Sequence, residues 1–413
     1  MASGVALGAV LAAVAAPPAG AAFPGDNGRI VFESSRDGRT QIYSMSADGT
    51  NEIQLTEGSA NREPAYSPDG RKIVFRSNRD GNAEIYVMNP DGTGQRRLTN
   101  DGAADTAPAF SADGLGIIFT SDLRGVNGQT AIYRMTTFGT GLMQLTLPFP
   151  QTSRDRNPTA SPDGSRILFE GLGQSGGDII AIADATGRTN LTRTPEAENG
   201  HPSVAPDARE IAFHRLSGGR MQVFAASPTG TDPINLSGST SSDREPAYSP
   251  DGQRIVFASD RNGSSEIFSM GRDASDLTRL TKRPPGSADS VPDWGPQPSG
   301  TSVSDVLFGT AASNVLCGRG GGDTLYGLAG DDTLRGDGCR ALGSAAHRGR
   351  AAAKAGGDRL LGGRGNDKLY GGPGVDRLDG GPGRDLIDCG GGRDVVRADR
   401  RDRLIDCERI RAG

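Results

Sequence analysis

The sequence contains the nine residues REPAYSPDG twice, at 62–70 and at 244–252, which start 182 residues apart. The steps between successive related segments are 44, 50, 44, 44 and 44 residues, and the first four steps account for that distance. Self-similarity at a fixed period of this length indicates a solenoid or a propeller. The six segments end at Gly70, Gly114, Gly164, Ala208, Gly252 and, in a degenerate last copy (VPDWGP), at Pro296.

Each repeat reads as four short β-strands. In one unit, RKIVFRS, EIYVMN and RRLT are separated by NRDGN and PDGTG, and the strand that leads into SPDG brings the number of strands to four. Short β-branched and aromatic runs between Asp-Gly turns are typical of an antiparallel meander. Pro64 and Pro246 lie in the strand before SPDG, where we expect an exposed strand start that needs no ladder donor. Six such units without helical periodicity predict an all-β fold with a six-bladed β-propeller over residues 23–300.

The phase of the repeats predicts how the ring closes. The chain enters at GRIVFES (28–34), which is a second strand, and leaves after SVPDW, which is a first strand. We therefore expect the last strand to complete the first blade, with Trp294 packed in it. Such a closure leaves no open sheet edge.

Residues 1–22 differ from the rest of the chain. The apolar run VALGAVLAAVAAPPAGAA ends in small residues, which predicts a signal peptide cleaved after Ala22; an uncleaved anchor is the alternative. No later segment is apolar for long enough to span a bilayer. The formal charge of −5 does not provide the strongly basic field that nucleic acid binding requires. We expect a secreted or cell-surface protein with no nucleic-acid partner and no membrane span in the mature chain.

The repeat resembles a known family. Its pattern, P-x-x-SPDG-x-x-IxF followed by IYxM and DG, is similar to the propeller repeat of TolB-type periplasmic proteins over about residues 28–296. We find no segment that resembles the α/β domain of TolB. The partners of TolB in the cell envelope are therefore not transferred to this chain.

The residue three positions before each repeat proline is Asp or Asn. If the first strands line the channel, these six side chains surround one of its mouths. They fix the entry loops by Asx-type hydrogen bonds in one interpretation and bind a cation or a polar ligand in the other. The six residues are Asn61, Asp105, Asp155, Asn199, Asp243 and Asp289.

Positions next to this ring vary from unit to unit, and the third unit adds a long loop, LPFPQTSRDR. A mixed-charge face with an aromatic edge suits binding of a peptide, protein or glycan. An ordinary solvated rim is the alternative. The predicted ligand-binding residues are Arg62, Glu63, Phe149, Arg156, His201, Arg244 and Glu245.

Signals for catalysis are weak. GQSGG at 173–177 matches GxSxG, but it lies in a turn between strands and not at a strand-to-helix elbow. The chain has three histidines, His201, His214 and His347, and they do not form the cluster found in pectate-lyase-type relatives of TolB. Non-catalytic recognition is the leading hypothesis, and a secreted propeller enzyme acting on polysaccharide or peptide is the alternative.

After about residue 302 the period drops to nine residues. Asp or Asn recurs every nine residues from Asp305 to Asp332 and from Asp358 to Asp394, glycines precede most of these acids, and an aliphatic residue stands two positions after each. Glycine allows turns in which carbonyl oxygens point at an ion, and Asp adds hard anionic oxygen. Aliphatic residues at every repeat fill a narrow interior, which a flexible linker would not require.

This ladder matches GGxGxDxUx, the calcium-binding repeat of RTX proteins. The resemblance implies a parallel β-roll over residues 301–413 that folds with calcium, with two repeats per coil and ions between repeats 18 residues apart. The segment 337–354 breaks the period and is expected to loop out, which leaves two short runs of repeats. The predicted calcium ligands are Asp323, Asp332, Asp358, Asp367, Asp376, Asp385 and Asp394.

All four cysteines lie in this last quarter of the chain. An even number in an exported chain indicates disulfides, and zinc-ligand spacing is absent. If two repeats form one coil, as in RTX proteins, Cys389 and Cys407 occupy equivalent places on adjacent coils and form a disulfide. Cys317 and Cys339 are expected to form the second pair.

Overall fold

The computed structural model describes residues 27–122, 129–147, 154–173, 176–183, 187–194, 197–297, 306–309, 314–318, 323–327, 332–336 and 357–412. Every helix or strand in these ranges is a β-strand. None of the described segments forms an apolar helix that could cross a membrane. The predictions for residues 1–22, Phe149, Cys339 and the insert at 337–354 lie outside the described residues.

The first part of the fold contains 24 strands. They are β1 (Asn27–Ser34), β2 (Gln41–Met45), β3 (Ile53–Gln54), β4 (Asn61–Tyr66), β5 (Ile73–Ser77), β6 (Glu84–Met88), β7 (Arg96–Arg97), β8 (Asp105–Phe110), β9 (Gly116–Asp122), β10 (Thr130–Thr136), β11 (Met143–Gln144), β12 (Arg154–Ala160), β13 (Ile167–Gly173), β14 (Gly176–Ile182), β15 (Arg188–Asn190), β16 (Asn199–Val204), β17 (Ile211–Ser217), β18 (Arg220–Ala226), β19 (Ile234–Asn235), β20 (Asp243–Tyr248), β21 (Arg254–Ser259), β22 (Glu266–Gly271), β23 (Thr278–Arg279) and β24 (Asp289–Pro296).

These strands form antiparallel groups of four, each of which is a propeller blade in topology. Strands β4–β7, β16–β19 and β20–β23 are separate four-stranded sheets. Strands β8–β11 and β12–β15 are two further groups, which a parallel bridge between Thr130 and Arg154 joins into one eight-stranded sheet. The predicted count of six blades depends on dividing this sheet at the bridge.

The ring closes by the predicted strand exchange. Strand β24 pairs antiparallel with β1, so the end of the repeat region supplies the first strand of the opening blade. Trp294 is buried in this sheet beside Ile30, and its indole N–H donates to the carbonyl oxygen of Gly28 at 3.3 Å. The prediction for this closure is confirmed.

The core lies between neighbouring blades. The IxF pattern places one phenylalanine in the middle of each second strand, and each is at most 1% exposed. Val31 and Ile42 of one blade, for example, pack with Tyr66 and Phe75 of the next. The six phenylalanines are Phe32, Phe75, Phe119, Phe169, Phe213 and Phe257.

The repeat prolines are placed differently from the prediction. Pro64 and Pro246 are buried in the middle of β4 and β20 and not at an exposed strand start. The register of β4 on β5 shifts between Arg62 and Ala65, and that of β20 on β21 shifts in the same way. A β-bulge leaves one residue without a ladder partner, so the bulge is what accommodates a residue that has no N–H.

The second part of the fold is a roll of short parallel strands. They are β25 (Val306–Phe308), β26 (Val315–Cys317), β27 (Thr324–Tyr326), β28 (Thr333–Arg335), β29 (Arg359–Leu361), β30 (Lys368–Tyr370), β31 (Arg377–Asp379), β32 (Leu386–Asp388), β33 (Val395–Ala398), β34 (Arg403–Ile405) and β35 (Arg409–Ala412).

Odd-numbered and even-numbered strands of the roll form two sheets, and each strand pairs with the one a full coil later. Leu360 pairs with Leu378 and Leu378 with Val396, which is the predicted step of two repeats. Every repeat aliphatic packs in a single core: Leu307, Leu316, Leu325, Leu334, Leu360, Leu369, Leu378, Ile387 and Val396.

The two runs of repeats contribute strands to the same two sheets. Leu325 pairs with Leu360 and Leu334 with Leu369, across the insert, so the sheets continue from one run into the other. Parallel pairing depends on the strands and not on the length of the loop between them, so the two runs of repeats can share the same sheets.

The predicted disulfide joins Cys389 and Cys407, with Cα atoms 5.1 Å apart. The 18-residue separation predicted that the two cysteines lie directly opposite each other, but they do not. Strand β32 pairs with β34 in steps of 17 residues, because Leu386 lies opposite Arg403. The bond therefore joins adjacent coils one residue out of the expected register.

Candidate functional site

The residue before each repeat proline has a left-handed backbone conformation. These residues lie at the bulge of each first strand, with φ between 47° and 58°. Such values are uncommon outside glycine, and for a β-branched residue they are a clear outlier. The six residues, which we call the bulge residues, are Glu63, Ala107, Asn157, His201, Glu245 and Val291.

The left-handed turn directs a bulge N–H toward the preceding blade. The N–H of Glu63 donates to Glu33 at 2.7 Å, and that of Val291 donates to Glu245 at 2.7 Å. Thr120 accepts from Asn157 at 3.2 Å in the same way. Side chains of one blade thus hold the first strand of the next.

Two positions in each blade can supply this acceptor: the bulge residue and the second-strand residue beside it. Glu33 and Thr120 lie on second strands. In the blade of β4–β7 the second strand carries Arg76 at this position, and the bulge residue Glu63 accepts the N–H of the following blade. In the blade of β20–β23 the second strand carries Ala258, and the bulge residue Glu245 accepts the corresponding N–H. Each of these blades therefore contributes one acceptor, from either place.

Among the carboxyl groups that accept a bulge N–H, Glu33 has a strongly raised pKa. It is 4% exposed, and burial, followed by the charge of Glu63, raises its pKa to about 8. The N–H of Glu63 and the charge of Arg62 act in the opposite direction without offsetting the burial. Glu33 is therefore largely protonated at neutral pH.

All six bulge residues line the central cavity between the first strands, and four of them, with neighbouring side chains, also line an adjacent cavity that we call the channel mouth. Five of the seven predicted ligand-binding residues line it together: Glu63, Arg156, His201, Arg244 and Glu245. Arg62 lies beside them, with a guanidinium nitrogen 3.9 Å from a carboxylate oxygen of Glu33. Their role in binding stays a prediction. Arg154, Glu170, Glu198 and Met221 also line the mouth and were not predicted.

Charges at the mouth are unevenly paired. The guanidinium of Arg156 donates to Glu170, whose second oxygen accepts from the side chain of Asn157 at 2.9 Å. Glu63 and Glu245 are engaged by backbone N–H groups of the following blades. The side chains of Arg154 and Arg244, in contrast, make no hydrogen bond or ion pair with any residue that the structure describes.

Two histidines meet at the same mouth. The rings of His201 and His214 have centroids 5.3 Å apart. His214 is buried, and Nδ1 of His214 accepts the N–H of Glu245 at 3.3 Å. Burial, followed by the charge of His201, lowers the pKa of His214 well below its usual value. His214 is thus a neutral structural acceptor.

The Asp and Asn ring lies inside the blades and does not line the channel. All six side chains are at most 2% exposed. Arg188 pairs with both oxygens of Asp155 at 2.7 and 2.8 Å, and Arg261 donates to Asp243 at 2.9 Å. These contacts supply the hydrogen bonds and counter-charge that a metal ion would otherwise provide. A metal role for the ring stays a prediction.

In the roll, six repeat aspartates reach back to the preceding coil. Oδ1 of Asp376 accepts the N–H of Asp358 at 2.8 Å, and Oδ1 of Asp394 accepts that of Asp376 at 2.9 Å. The same contact crosses the insert, from the N–H of Asp323 to Asp358 at 2.7 Å. Asp402 continues the ladder by accepting the N–H of Asp385 at 3.0 Å. The sequence did not predict Asp402, because it follows Asp385 after 17 residues.

The second oxygen of two of these carboxylates is buried without a hydrogen bond. Oδ2 of Asp385 and of Asp394 accepts none from the described residues. Burial raises the pKa of Asp385 to about 6 and also raises that of Asp394. A buried anionic oxygen without a donor is costly, so these two oxygens favour a cation.

Backbone oxygens converge on the same places. A Cβ at Gly383 would lie 1.6 Å from the carbonyl oxygen of Gly365 and 2.9 Å from Oδ1 of Asp385. A Cβ at Gly392 would meet the carbonyl oxygen of Gly374 and the carboxylate of Asp394 in the same way. Only glycine leaves this space open. Carboxylate and carbonyl oxygens are the ligands that calcium prefers, so this donor set fits calcium.

No group of three or more His, Cys, Asp or Glu side chains suited to an ion occurs in the described part of the chain. A calcium site of the roll would therefore combine one or two aspartates with carbonyl oxygens of the glycine turns.

Comparisons with known families cover both parts of the fold. The TolB beta propeller domain matches residues 52–239 and 157–304, which together exceed half of the chain. The RTX calcium-binding nonapeptide repeat matches residues 299–334, 353–387 and 370–400. No curated protein matches this sequence.

Solved structures are similar in fold. TolB from Acinetobacter baumannii superposes with a TM-score of 0.57 at 22% identity, over 67% of this chain and 69% of that one. A TolB-type chain from Agrobacterium tumefaciens gives a TM-score of 0.51 at 21% identity, over 61% of this chain and 88% of that one. Hydrazine synthase of Kuenenia stuttgartiensis gives 0.56 at 18% identity, over 68% of this chain and 49% of that one.

Proposed function

Because the chain belongs to the TolB beta propeller domain family and carries RTX calcium-binding nonapeptide repeats, we propose that it is an exported calcium-binding protein whose propeller recognises a peptide, protein or glycan without catalysis. The observation that carries the calcium part is the pair of buried, unbonded carboxylate oxygens on Asp385 and Asp394. Residues at equivalent places of the ladder, Asp323, Asp332, Asp358, Asp367 and Asp376, complete the proposed ligand set.

Calcium supplies a hard divalent cation that neutralises carboxylates stacked one coil apart. At Asp385 and Asp394 the chain holds one carboxylate oxygen by a backbone N–H. The other oxygen accepts no hydrogen bond from the described part of the chain. Stacked carboxylates repel each other and a glycine-rich chain has much conformational entropy to lose. Ion binding therefore contributes directly to folding of the roll.

The calcium requirement also supports the proposed export. Extracellular calcium modules typically bind at about 10⁻⁴–10⁻³ M, a range suited to a site that fills outside the cell. The disulfide between Cys389 and Cys407 is of a kind that persists in oxidising compartments. Both features support export.

Recognition is assigned to the channel mouth on the strength of Arg154 and Arg244. Unpaired guanidinium groups beside a cavity present donors to acidic or carbonyl groups of a ligand. His201 and the carboxylates of Glu63 and Glu245 add acceptors on the same face. This mixture suits a polar peptide or a glycan better than an apolar ligand.

Calcium binding is tested by titration calorimetry on the mature chain, with D385N and D394N compared to D379N. Asp379 is also in the roll, but its carboxylate forms a surface ion pair with Arg397 at 3.5 Å. D385N and D394N are expected to weaken calcium binding at least about tenfold, as loss of one charged ligand does, and D379N to leave it unchanged. Equal affinity for all three variants would contradict the proposed ligand set.

Recognition is tested by screening peptide and glycan arrays with the mature chain in calcium. A ligand found in this way is expected to bind less to R154Q/R244Q and normally to R39Q/R193Q, which removes two exposed arginines that do not line the mouth. A ligand that binds both double variants equally would place recognition elsewhere.

A further inference from the structure

Over residues 357–410 of the roll, the basic side chains are exposed, whereas most acidic side chains are at least partly buried. Residues 357–410 contain eleven basic and eleven acidic side chains, so their formal charge is zero. All eleven basic side chains are exposed, whereas only three of the acidic ones are. The five repeat aspartates in this range are buried. The outer surface is therefore far more basic than the composition indicates.

Most of these cations have no counter-ion among the residues that the structure describes. Arg397 pairs with Asp379 at 3.5 Å. The other ten make no ion pair with a described residue. They are Arg359, Arg364, Lys368, Arg377, Arg384, Arg393, Arg400, Arg401, Arg403 and Arg409.

Calcium changes the net charge of this surface. Each bound ion adds two positive charges to a segment whose formal charge is zero, and it does so at the buried aspartates. We propose that the calcium-loaded roll is a binding surface for an acidic polysaccharide. This inference rests on the calcium binding proposed above, but it assigns to the roll a partner that is separate from the ligand of the propeller.

The arrangement of the cations favours a linear partner. Arg364 lies in the turn between β29 and β30, Arg384 in the turn between β31 and β32, and Arg400 and Arg401 in the turn between β33 and β34. These turns stack along one edge of the roll, since the N–H of Arg384 donates to the side chain of Asn366 at 3.0 Å. Neighbouring strands are ~4.8 Å apart, so cations recur along this edge at each coil. An extended polyanion can contact all of them.

Two other polyanionic partners fit less well. Single-stranded nucleic acid is bound through aromatic stacking platforms, and residues 357–412 contain one aromatic residue, the half-buried Tyr370. A membrane surface requires cations in one plane, usually with apolar side chains that insert. Here the cations also occur on both sheets, as at Arg377 and Lys368.

The test uses the mature chain, dextran sulfate as the probe and neutral dextran as its control, in millimolar calcium and then in chelator. We expect binding to dextran sulfate only, only with calcium, and falling steeply with salt, because screening weakens exposed ion pairs. The variant R364Q/R384Q/R401Q is expected to lose at least about tenfold in affinity, at roughly a factor of two or three per ion pair. The propeller variant R39Q/R193Q/R220Q removes the same charge from exposed sites and is expected to bind normally.

Calorimetry with calcium on the same samples separates the two proposals. Calcium binding without dextran sulfate binding would overturn this inference and leave the calcium-binding function intact. Equal loss in both triple variants would show an effect of net charge only and would also overturn it. Tighter binding to an oligothymidylate or to phosphatidylserine vesicles than to dextran sulfate would replace the polysaccharide with that partner.

Discussion

The carboxylate of Glu63 accepts a hydrogen bond from the backbone N–H of Ala107 at 2.6 Å, across the boundary between two blades. The two residues are 44 positions apart, which is the repeat period. Glu245 and Val291 form the same contact at 2.7 Å. The same hydrogen bond therefore recurs between different pairs of blades, although the donor residue differs in type.

Removing the acceptor should loosen the boundary between these blades. In E63A the N–H of Ala107 loses its partner in a partly buried place, and we expect the free energy of unfolding to fall by about 1–3 kcal/mol. E63Q keeps an amide oxygen and should lose less. Urea denaturation measures both, with E57A, which alters an exposed side chain, as the control. An E63A variant as stable as E57A would show that the contact contributes nothing.

The left-handed bulge at Val291 predicts a stabilising substitution. Val291 has φ of 47°, which is unfavourable for a β-branched side chain, whereas Asn tolerates this conformation. Asn157 occupies the equivalent bulge. We expect V291N to raise the free energy of unfolding by about 0.5–1 kcal/mol, and V395N, in an ordinary strand of the roll, to give no gain. A less stable V291N would mean that contacts of the valine side chain outweigh the backbone strain.

Glu33 should make the stability of the propeller depend on pH. Its folded pKa of about 8 lies above the ordinary value near 4.3, so folding favours the protonated form. That contribution is complete below the unfolded pKa and is lost as pH rises toward 8. E33Q replaces the carboxyl group with an amide that is neutral at every pH and still accepts the N–H. We therefore expect the free energy of unfolding of E33Q, minus that of the parent, to rise by roughly 1–4 kcal/mol between pH 5 and pH 8.

The difference between E33Q and the parent is the quantity to measure by urea denaturation, because other groups titrate in the same range. Asp105 has a pKa raised to about 6 by burial, and the lowered pKa of His214 destabilises the folded state as pH falls. E57Q serves as the exposed control. An E33Q difference that does not change with pH would show that Glu33 is ionised in the folded protein.

The sequence predicts the propeller repeat well because its turns have strict requirements. Asp69 accepts from the hydroxyl of Ser67 and from the N–H of Arg71, and Gly70 has φ of 69°. Only particular residues satisfy such a turn, so SPDG recurs and sets the period.

The bulges could not be predicted in this way. Residues before proline ordinarily avoid helical backbone conformations, and the six bulge residues share no chemical type that a pattern could detect.

The roll was predictable wherever nine residues separate equivalent positions, because each interior place accepts one aliphatic side chain. Leu360, Leu369 and Leu378 all lie where the period puts them. Prediction failed where the spacing changed. The insert hid the pairing of Leu325 with Leu360, and a coil shorter by one residue hid Asp402. Spacing alone does not show which strands pair once a loop of different length intervenes.

Glycines of the roll give a matched test of the calcium ligands. A Cβ at Gly380 would lie 2.3 Å from Oδ2 of Asp385 and 2.8 Å from its carboxyl carbon, whereas a Cβ at Gly391 would meet nothing within 4 Å. G380A must therefore displace the carboxylate that we assign to calcium, and G391A need not. Neither glycine has a positive φ, so backbone strain does not separate the two variants.

We expect G380A to lose the part of the calcium-dependent rise in melting temperature that one site contributes and G391A to keep the whole rise. At calcium ten times above Kd, one lost site corresponds to about 1.4 kcal/mol. In chelator, displacing an uncompensated buried carboxylate relieves part of its cost, so G380A should differ less from the parent there than in calcium. Circular dichroism melts with calcium and with chelator measure the melting temperature of each variant under the two conditions. An equal loss in the two conditions would show that Gly380 matters for packing alone and that Asp385 does not bind the ion.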